Sequence, residues 1–382
     1  MTSLVLPAML PENCQNAELI AQSVLYKALI VVKGLACILS IAILTFLAFS
    51  KAQVRIFHPN TKIIALVVCA FVCLVAANVT LTNMLEIWRI SYPYDNPCDR
   101  LWSIRSIFCL RSMYVIFLNG VNSSLIVLCI ERFVCICRIS NYEKSSKPVL
   151  VAVFLVITTA IFSVIFTVFY ASGVDWNERI AVTTIRNQTN GAFYQIVLTY
   201  VEATEILGVL FFLFIHYWSL WYRKRVRGFK SIAQRSDADT IPRNETLSVK
   251  FQIEETLAIT CLFLPVVLIK LAMGIFTFVS ASIANAIWPN PPANIQMIIY
   301  QLVNVGAVSP LPMALLLAHG TGQLSRLFCC RAKTSTRISP IVFVTNTNSS
   351  QEEYFDRLKQ LFERNAPDPA KKYERSSFQS MC

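Results

Sequence analysis

Charged side chains inside long apolar runs are the residues of this sequence most able to do chemistry. Those singled out are the cations Arg105, Arg111 and Lys270 and the carboxylates Glu202 and Glu205. Ionisable groups in an apolar surrounding normally pair with one another, or they hold a polar or charged small molecule. Glu202 and Glu205 are three residues apart, so they share one face of a helix.

A second charged motif is Glu131-Arg132-Phe133, within LIVLCIERFVCI at residues 125–136. A charge deep in hydrocarbon is costly, and an exposed salt bridge contributes only about 0–1 kcal/mol. The pair therefore lies at a membrane boundary, where it merely marks the interface, or it forms a switch with two arrangements of similar free energy.

Catalytic and metal-binding patterns are missing from the sequence. The three histidines are scattered at positions 58, 216 and 319. The sequence has no His-x-x-x-His motif, no paired-cysteine zinc spacing and no glycine-rich phosphate loop. We therefore expect neither an enzyme nor a metal or other cofactor, with a membrane-embedded hydrolase kept as an alternative.

The composition indicates a membrane protein. The chain has 382 residues, of which 55% are hydrophobic and 15% are charged, whereas a soluble domain carries about 25% charged residues. Seven apolar segments have roughly the length that crosses a bilayer, about 20 residues each. They are residues 24–50, 63–85, 101–130, 148–171, 193–221, 253–280 and 294–318. The sequence thus predicts an all-α membrane protein with a seven-transmembrane helix bundle.

The loops between these segments differ in positive charge. Loops 51–62, 131–147 and 222–252 carry fifteen Lys and Arg residues, whereas the opposite set carries four. Positive loops stay in the cytoplasm, so the N-terminus is expected outside and the C-terminus inside. This predicts an extracellular segment 1–23, a receptor domain 24–331 and a cytoplasmic tail 332–382. The net charge of +12 then reflects inner loops and contact with lipid, and no nucleic-acid partner is expected.

Seven spans, an outside N-terminus, an acidic-Arg-aromatic triplet closing the third span and a basic third inner loop together resemble a G-protein-coupled receptor. In the large rhodopsin-like family the Arg is held by its acidic neighbour at rest, and it meets the G protein when the sixth helix moves out. We expect Glu254 or Glu255 to bridge to Arg132 in the closed state. The expected coupling residues are Glu131, Arg132, Phe133, Arg223, Arg225, Lys250, Glu254 and Glu255.

The sequence departs from the rhodopsin-like pattern in three places, of which one is the sixth span, with CLFLP and no Trp before it. The seventh span ends NVGAVSPLPMALLLAHG, without Asn-Pro-x-x-Tyr, and the second outer loop, 171–192, has no cysteine. Other stretches, RIFHPNTKII, NPCDRLWSIRSIFCLRSMYVI, NYEKSSKP and NETLSVKFQIEETL, resemble nematode serpentine chemoreceptors of the Sra, Srab and Sre group. The resemblance covers residues 24–320. It implies a chemosensory receptor in the plasma membrane of sensory cilia or dendrites, with a small-molecule ligand and a heterotrimeric G protein as partners.

A ligand-gated ion channel with seven spans is the other alternative. Channels of the insect odorant-receptor type have the opposite orientation, which the Lys and Arg distribution contradicts. The oligomeric state does not follow from the sequence.

The charges within the spans predict where a ligand would bind. At 1.5 Å per residue, Arg111 is about 30 Å from Glu131 along the third span. Similar counts place Glu202, Glu205 and Lys270 in the outer half of neighbouring helices. The expected pocket lies between the third, fifth, sixth and seventh helices, with a purely structural salt-bridge cluster as the alternative. Its predicted residues are Arg111, Tyr114, Asn119, Glu202, Glu205, Lys270, Phe276, Tyr300 and Gln301.

Covalent modifications are expected at both ends of the bundle. Cys14 and Cys98 face the oxidising exterior, which favours a disulfide between them, although Cys109 is a competing partner and two free thiols remain an alternative. Among the glycosylation sequons, only Asn187 lies in an outer loop.

The segment 320–333 after the seventh span has an apolar stripe beside arginines. This predicts a short amphipathic helix lying along the inner leaflet. Cys329 and Cys330 then lie where palmitate would reach the bilayer, with an unmodified pair as the alternative.

Overall fold

The structure is a computed structural model of the chain. It describes residues 12–49, 58–137, 148–172, 174–177, 179–181, 191–233, 243–288, 293–321 and 323.

The described residues are almost entirely helical. The helices, in chain order, are α1 (Glu12–Gln22), α2 (Val24–Phe49), α3 (Pro59–Ser91), α4 (Ile104–Cys137), α5 (Pro148–Ala171), α6 (Gly191–Ala233), α7 (Arg243–Ile287), α8 (Ala293–Val303) and α9 (Pro310–Gly320). Two 3₁₀ turns cover Pro97–Arg100 and Val305–Val308. Proline opens α3, α5 and α9, where its missing N–H has no intrahelical partner to lose.

The predicted seven-helix bundle is confirmed, with one difference. Helices α2 to α7 are each long and apolar enough to cross a membrane. The seventh segment, predicted as one span over 294–318, is instead divided into α8, the 3₁₀ turn and α9. Pro310 and Pro312 lack an N–H, so the carbonyl groups four residues earlier receive no helical hydrogen bond and the helix is interrupted.

The core lies between the spans, and their other faces are apolar as well. Side chains such as Val68, Leu128, Phe212 and Phe263 form the main buried cluster. Many large apolar residues are exposed on the outer faces of the spans, most densely along α5. This is the arrangement of a bundle whose surface contacts lipid. Helix α4 contributes the largest share of buried residues among the spans, so it is the central helix.

Helix α1, which was not predicted, lies across the end of the bundle where α2 begins. We call this the outer end, following the predicted topology. Ala17, Ile20 and Ala21 of α1 are buried in a cluster with Tyr26 and Met297. A disulfide joins Cys14 of α1 to Cys98 in the turn before α4.

A two-residue antiparallel pairing also covers the outer end. β1 (Trp102–Ser103) pairs with β2 (Arg179–Ile180) in the second outer loop. The loop that has no cysteine is therefore connected to the start of α4 by backbone hydrogen bonds.

Candidate functional site

Arg132 is at the centre of a buried polar cluster at the inner end of the bundle. Its side chain is only 1% exposed. Its Nε and Nη2 donate to the two carboxylate oxygens of Glu131, each at 2.5 Å. Nη2 also donates to Thr61 Oγ1 of α3 at 2.5 Å. The α4 motif is thus attached to α3 in this state.

Glu255 of α7 completes this group. Its Oε1 lies 3.6 Å from Nη1 of Arg132, and it accepts a hydrogen bond of 2.6 Å from the backbone N–H of His58. One turn further along α4, the thiol of Cys135 donates to Gln252 Oε1 at 2.9 Å. We call Thr61, Glu131, Arg132 and Glu255 the inner cluster. It holds together the adjoining ends of α3, α4 and α7.

The structure distinguishes between the two glutamates that were expected to reach Arg132. Glu254 instead forms a salt bridge of 2.9 Å with Arg223 of α6, and these side chains are 40% and 36% exposed. Successive helical residues point about 100° apart, so Glu255 faces the bundle while Glu254 faces its rim. The other two expected coupling residues, Arg225 and Lys250, are on α6 and α7, and their side chains lie outside the described part.

Phe133 belongs to an aromatic group and not to the inner cluster. Its ring centroid is 5.4 Å from that of Trp218 and 6.3 Å from that of Phe211, both on α6. The third residue of the triplet therefore packs α4 against α6.

His58 is next to the inner cluster, at the N-cap of α3. Its Nδ1 accepts a hydrogen bond from the backbone N–H of Asn60. Partial removal from water lowers the pKa of His58 from its ordinary value of 6.5, and the cations Arg132 and Lys62 act in the same direction against Glu131. The neutral imidazole is the form that can accept this hydrogen bond.

The predicted charges of the outer half are only partly brought together. Nζ of Lys270 on α7 pairs with Glu205 Oε1 on α6, and both side chains are buried. The same ammonium donates to Asn122 Oδ1 of α4 at 2.7 Å. A cavity of about 20 Å³ adjoins these three residues, which is room for about one water molecule. The pair thus closes the space between α4, α6 and α7.

Of two other predicted pocket residues, Glu202 is within electrostatic range of both Glu205 and Lys270, whereas Phe276 lies apart from this pair. Glu202 is next to Gly274 of α7, where a Cβ on the glycine would stand 2.8 Å from Glu202 Oε1. Phe276 is 54% exposed, on the surface of α7. The structure does not bring Phe276 into the bundle interior.

Tyr114, Tyr300 and Asn119 are further residues of the predicted pocket. Tyr114 is within electrostatic range of Arg111, Tyr300 and Glu205. The Tyr300 hydroxyl accepts a hydrogen bond from the side chain of Asn304 at 3.3 Å. Asn119 is buried, and its Nδ2 has no hydrogen-bond partner within the described ranges.

Lys33 of α2 is a buried cation that the sequence analysis missed. Its Nζ donates to Gln301 Oε1 at 2.9 Å and to the backbone carbonyl of Asn304 at 3.0 Å. A lysine within the first apolar span was the available signal. This interaction connects α2 to the interruption of the seventh segment. The predicted pocket residue Gln301 therefore serves as a hydrogen-bond acceptor for Lys33.

A second unpredicted network lies just beneath α1. Glu86 of α3 accepts hydrogen bonds from Tyr26, Arg89 and Trp102 at 3.0, 3.0 and 2.8 Å. Arg89 also donates to the carbonyl of Ala181 at 3.1 Å. These residues connect α2, α3 and the first two outer loops, so they hold the outer end closed.

Several predicted modification sites lie outside the described residues. They are Asn187, Cys329, Cys330, the amphipathic helix proposed after residue 320 and the tail. Among the residues that the structure does describe, no group of His, Cys, Asp or Glu is arranged to hold a metal ion.

The comparisons with known proteins agree with this architecture. The chain resembles the crystal structure of squid rhodopsin with a TM-score of 0.53 and 13% sequence identity, over 85% of this chain and 90% of the rhodopsin chain. Comparison with curated proteins gives no match. Residues 11–288 match the family described as serpentine type 7TM GPCR receptor class ab chemoreceptor. The resemblance to the Sra, Srab and Sre group is confirmed, and the chain belongs to the class ab serpentine chemoreceptors.

Proposed function

We propose that this receptor binds a small extracellular molecule and, in response, activates a heterotrimeric G protein at its inner face. The family and the rhodopsin-like fold support a receptor rather than an enzyme. The proposal further places the receptor in the plasma membrane of a sensory cilium or dendrite.

The inner cluster is the observation that carries this proposal. Arg132 is almost fully buried between Glu131, Thr61 and Glu255, so it is not accessible to a protein at the inner face. Movement of the α7 base away from α4 would separate Glu255 from Arg132 and expose the guanidinium. A buried charge held in one of two arrangements has the properties of a switch.

The disulfide supports the proposed orientation. Disulfides persist in oxidising compartments, and Cys14–Cys98 lies at the end of the bundle opposite to the inner cluster. The fifteen Lys and Arg residues of the opposite loops favour the same orientation. An epitope placed before α1 should therefore be accessible to antibody on unpermeabilised cells.

The test of coupling compares wild type with Arg132→Ala in cells that carry a G-protein activation sensor. The cells are challenged with a chemically diverse panel of small molecules. We expect wild type to activate the sensor, and Arg132→Ala to give no activation when the response is normalised to the amount of receptor at the surface. Arg105→Ala is the matched control, because Arg105 is an exposed arginine at the outer end of the same helix.

The alternative, a ligand-gated channel, predicts a different outcome. A channel would produce an ionic current that persists when G-protein signalling is blocked. Such a current, with no sensor response in wild type, would contradict the proposed function.

A further inference from the structure

Lys33 has no carboxylate partner, although it is buried in the outer half of the bundle. Its side chain is 8% exposed, and both of its hydrogen-bond acceptors are neutral oxygens, those of Gln301 and Asn304. Within the described ranges, no Asp or Glu lies at ion-pair distance from its ammonium. A buried cation of this kind normally has an anion beside it.

The packing of α2, α3 and α4 shows what surrounds this ammonium. Cys37 of α2, Val79 of α3 and Tyr114 of α4 pack together in one buried cluster. Helices α2 and α4 run from the outer end inward, whereas α3 runs outward. One helical turn further out from these three residues are therefore Lys33, Asn83 and Arg111.

Lys33, Asn83 and Arg111, which we call the Lys33 layer, all carry hydrogen-bond donors. Arg111 is within electrostatic range of Lys33 and has the same charge. The side-chain Nδ2 of Asn83 is buried and has no hydrogen-bond partner within the described ranges. Two cations are thus placed at one level of three neighbouring helices, beside the amide of Asn83, whose Nδ2 has no acceptor within the described ranges. A buried donor without an acceptor is costly unless a ligand or water supplies one.

The carboxylate of Glu86, one helical turn further out on α3 than Asn83, already accepts hydrogen bonds from other side chains. Glu86 of α3 accepts from Tyr26, Arg89 and Trp102, which uses both of its oxygens. The Lys33 layer therefore differs from the Lys270 site, where Glu205 neutralises the ammonium within the protein.

We propose that Lys33, Asn83 and Arg111 form a binding site for the carboxylate group of a small ligand, beneath helix α1. The proposal deepens the proposed function and rests on it for the biological role of the site. The carboxylate would accept hydrogen bonds from the ammonium, the guanidinium and the amide, and it would neutralise part of the charge that the two cations bring together. Lys33 also contacts Gln301 and Asn304 at the interruption of the seventh segment, so an anion drawn to its ammonium would act directly on α8.

The test measures binding to the purified full-length receptor and does not depend on G-protein coupling. The probes are matched pairs in which a carboxylate is compared with its neutral amide: butyrate and butyramide, hexanoate and hexanamide, benzoate and benzamide. Binding is measured by thermal stabilisation of the receptor at constant chloride concentration. We expect at least one acid to bind about tenfold or more tightly than its amide, which is the size expected when a charged hydrogen bond is gained.

Variants of the layer decide whether this preference arises at the proposed site. Lys33→Met should remove the difference between acid and amide, and Lys33→Arg should keep it. Asn83→Ala should weaken binding of the acid severalfold without affecting the amide, and it serves as a second test should Lys33→Met fail to fold. Lys27→Met is the control. Lys27 lies in the same helix as Lys33, nearly two turns earlier, so this variant should behave as wild type.

Two results would overturn the proposal: no probe pair shows a preference for the acid, or the preference survives both Lys33→Met and Asn83→Ala. Failure of the proposed function has a different signature. If the acid binds as expected but wild type and Glu255→Gln never activate a G protein, the coupling proposal is wrong and the anion site stands.

Discussion

The guanidinium of Arg132 and the carboxylate of Glu255 face each other between the inner ends of α4 and α7, with 3.6 Å between Nη1 and Oε1. The two side chains are 1% and 0% exposed. Glu255 also accepts a hydrogen bond from the backbone of His58. Outward movement of the α7 base must therefore break contacts of Glu255 with both α4 and the start of α3, which favours the closed arrangement.

Glu255→Gln should raise ligand-independent signalling. The amide keeps the shape of the side chain but removes the attraction to Arg132, so the closed state loses part of its advantage. A loss of about 1.4 kcal/mol would change the ratio of open to closed receptor about tenfold. The measurement is basal G-protein activation normalised to surface expression.

Glu254→Gln is the matched control for this prediction. Glu254 is the neighbouring residue and pairs with Arg223 at the partly exposed rim, where an ion pair contributes about 0–1 kcal/mol. Its basal signalling should stay close to wild type. Equal effects of the two substitutions would contradict a specific role for Glu255.

Thr61→Val should destabilise the closed receptor. Valine keeps the shape of threonine, but the hydroxyl that accepts from Nη2 of Arg132 at 2.5 Å is lost. A hydrogen bond to a charged group is worth about 1.5–3 kcal/mol, so the purified receptor should unfold at a lower temperature. Thr80→Val, in the same helix, removes only a bond to the carbonyl of Ala76 and should have a smaller effect. If the two variants melt alike, Thr61 does not support Arg132.

The sequence indicates several of the charged residues that pair in this fold, although Lys33 and the Glu86 network were missed. A charge in an apolar run is costly, so Glu131, Arg132, Glu205 and Lys270 are conspicuous, and the structure pairs them as Glu131–Arg132 and Glu205–Lys270. Phe276 is different, because lipid chains are as apolar as the protein core. Nothing in the sequence distinguishes a phenylalanine that faces lipid from one that faces a pocket.

The rotation of a helix about its own axis and the residue at which it ends are also hard to predict from the sequence. Glu254 and Glu255 are equivalent candidates until the rotation of α7 is known. The interruption between α8 and α9 results from two prolines, each of which is also compatible with a kinked continuous span. Helix α1 is stabilised by burial against α2 and α8 and by a disulfide, which are tertiary contacts that its own sequence does not show.

The buried pair Lys270–Glu205 should be coupled in a double-mutant cycle. Lys270→Met leaves Glu205 buried without its cation, and Glu205→Gln leaves the ammonium with Asn122 as its remaining described partner. Breaking a buried pair from one side typically costs about 3–5 kcal/mol, whereas replacing both partners is often tolerated. Each single variant should therefore reach the surface poorly, and Lys270→Met with Glu205→Gln should recover expression.

The cycle also separates a structural pair from a ligand contact. Normal surface expression of both single variants, together with altered ligand potency, would show that the pair acts on the ligand and is dispensable for folding. Additive losses in the double variant would contradict direct coupling between the two residues.

The pKa of His58 predicts a loss of stability in mild acid. Its pKa is lowered from 6.5 in the folded receptor, so the unfolded chain binds a proton first as the pH falls. The stabilisation is therefore present above about pH 6.5 and is lost below it. The melting temperature of wild type should fall more between about pH 7 and pH 5.5 than that of His58→Asn. Asparagine is the control residue because it also caps helices but does not titrate. Parallel pH profiles of the two proteins would rule out His58 as the titrating group.

Loss of the bond between Cys14 and Cys98 should release helix α1. The bond closes a loop with a sequence separation of 84 residues, and the loop-entropy estimate for such a length is about 4.5 kcal/mol. Cys14→Ser, Cys98→Ser and the double variant should therefore lower the melting temperature by the same amount, because each removes the same bond. Cys109→Ser should have little effect, since Cys109 is an exposed free thiol. Reducing agent should bring wild type to the level of the serine variants. If Cys14→Ser is harmless while Cys98→Ser is not, or if non-reducing peptide mapping links Cys109 to either partner, this bond does not hold α1 on the bundle.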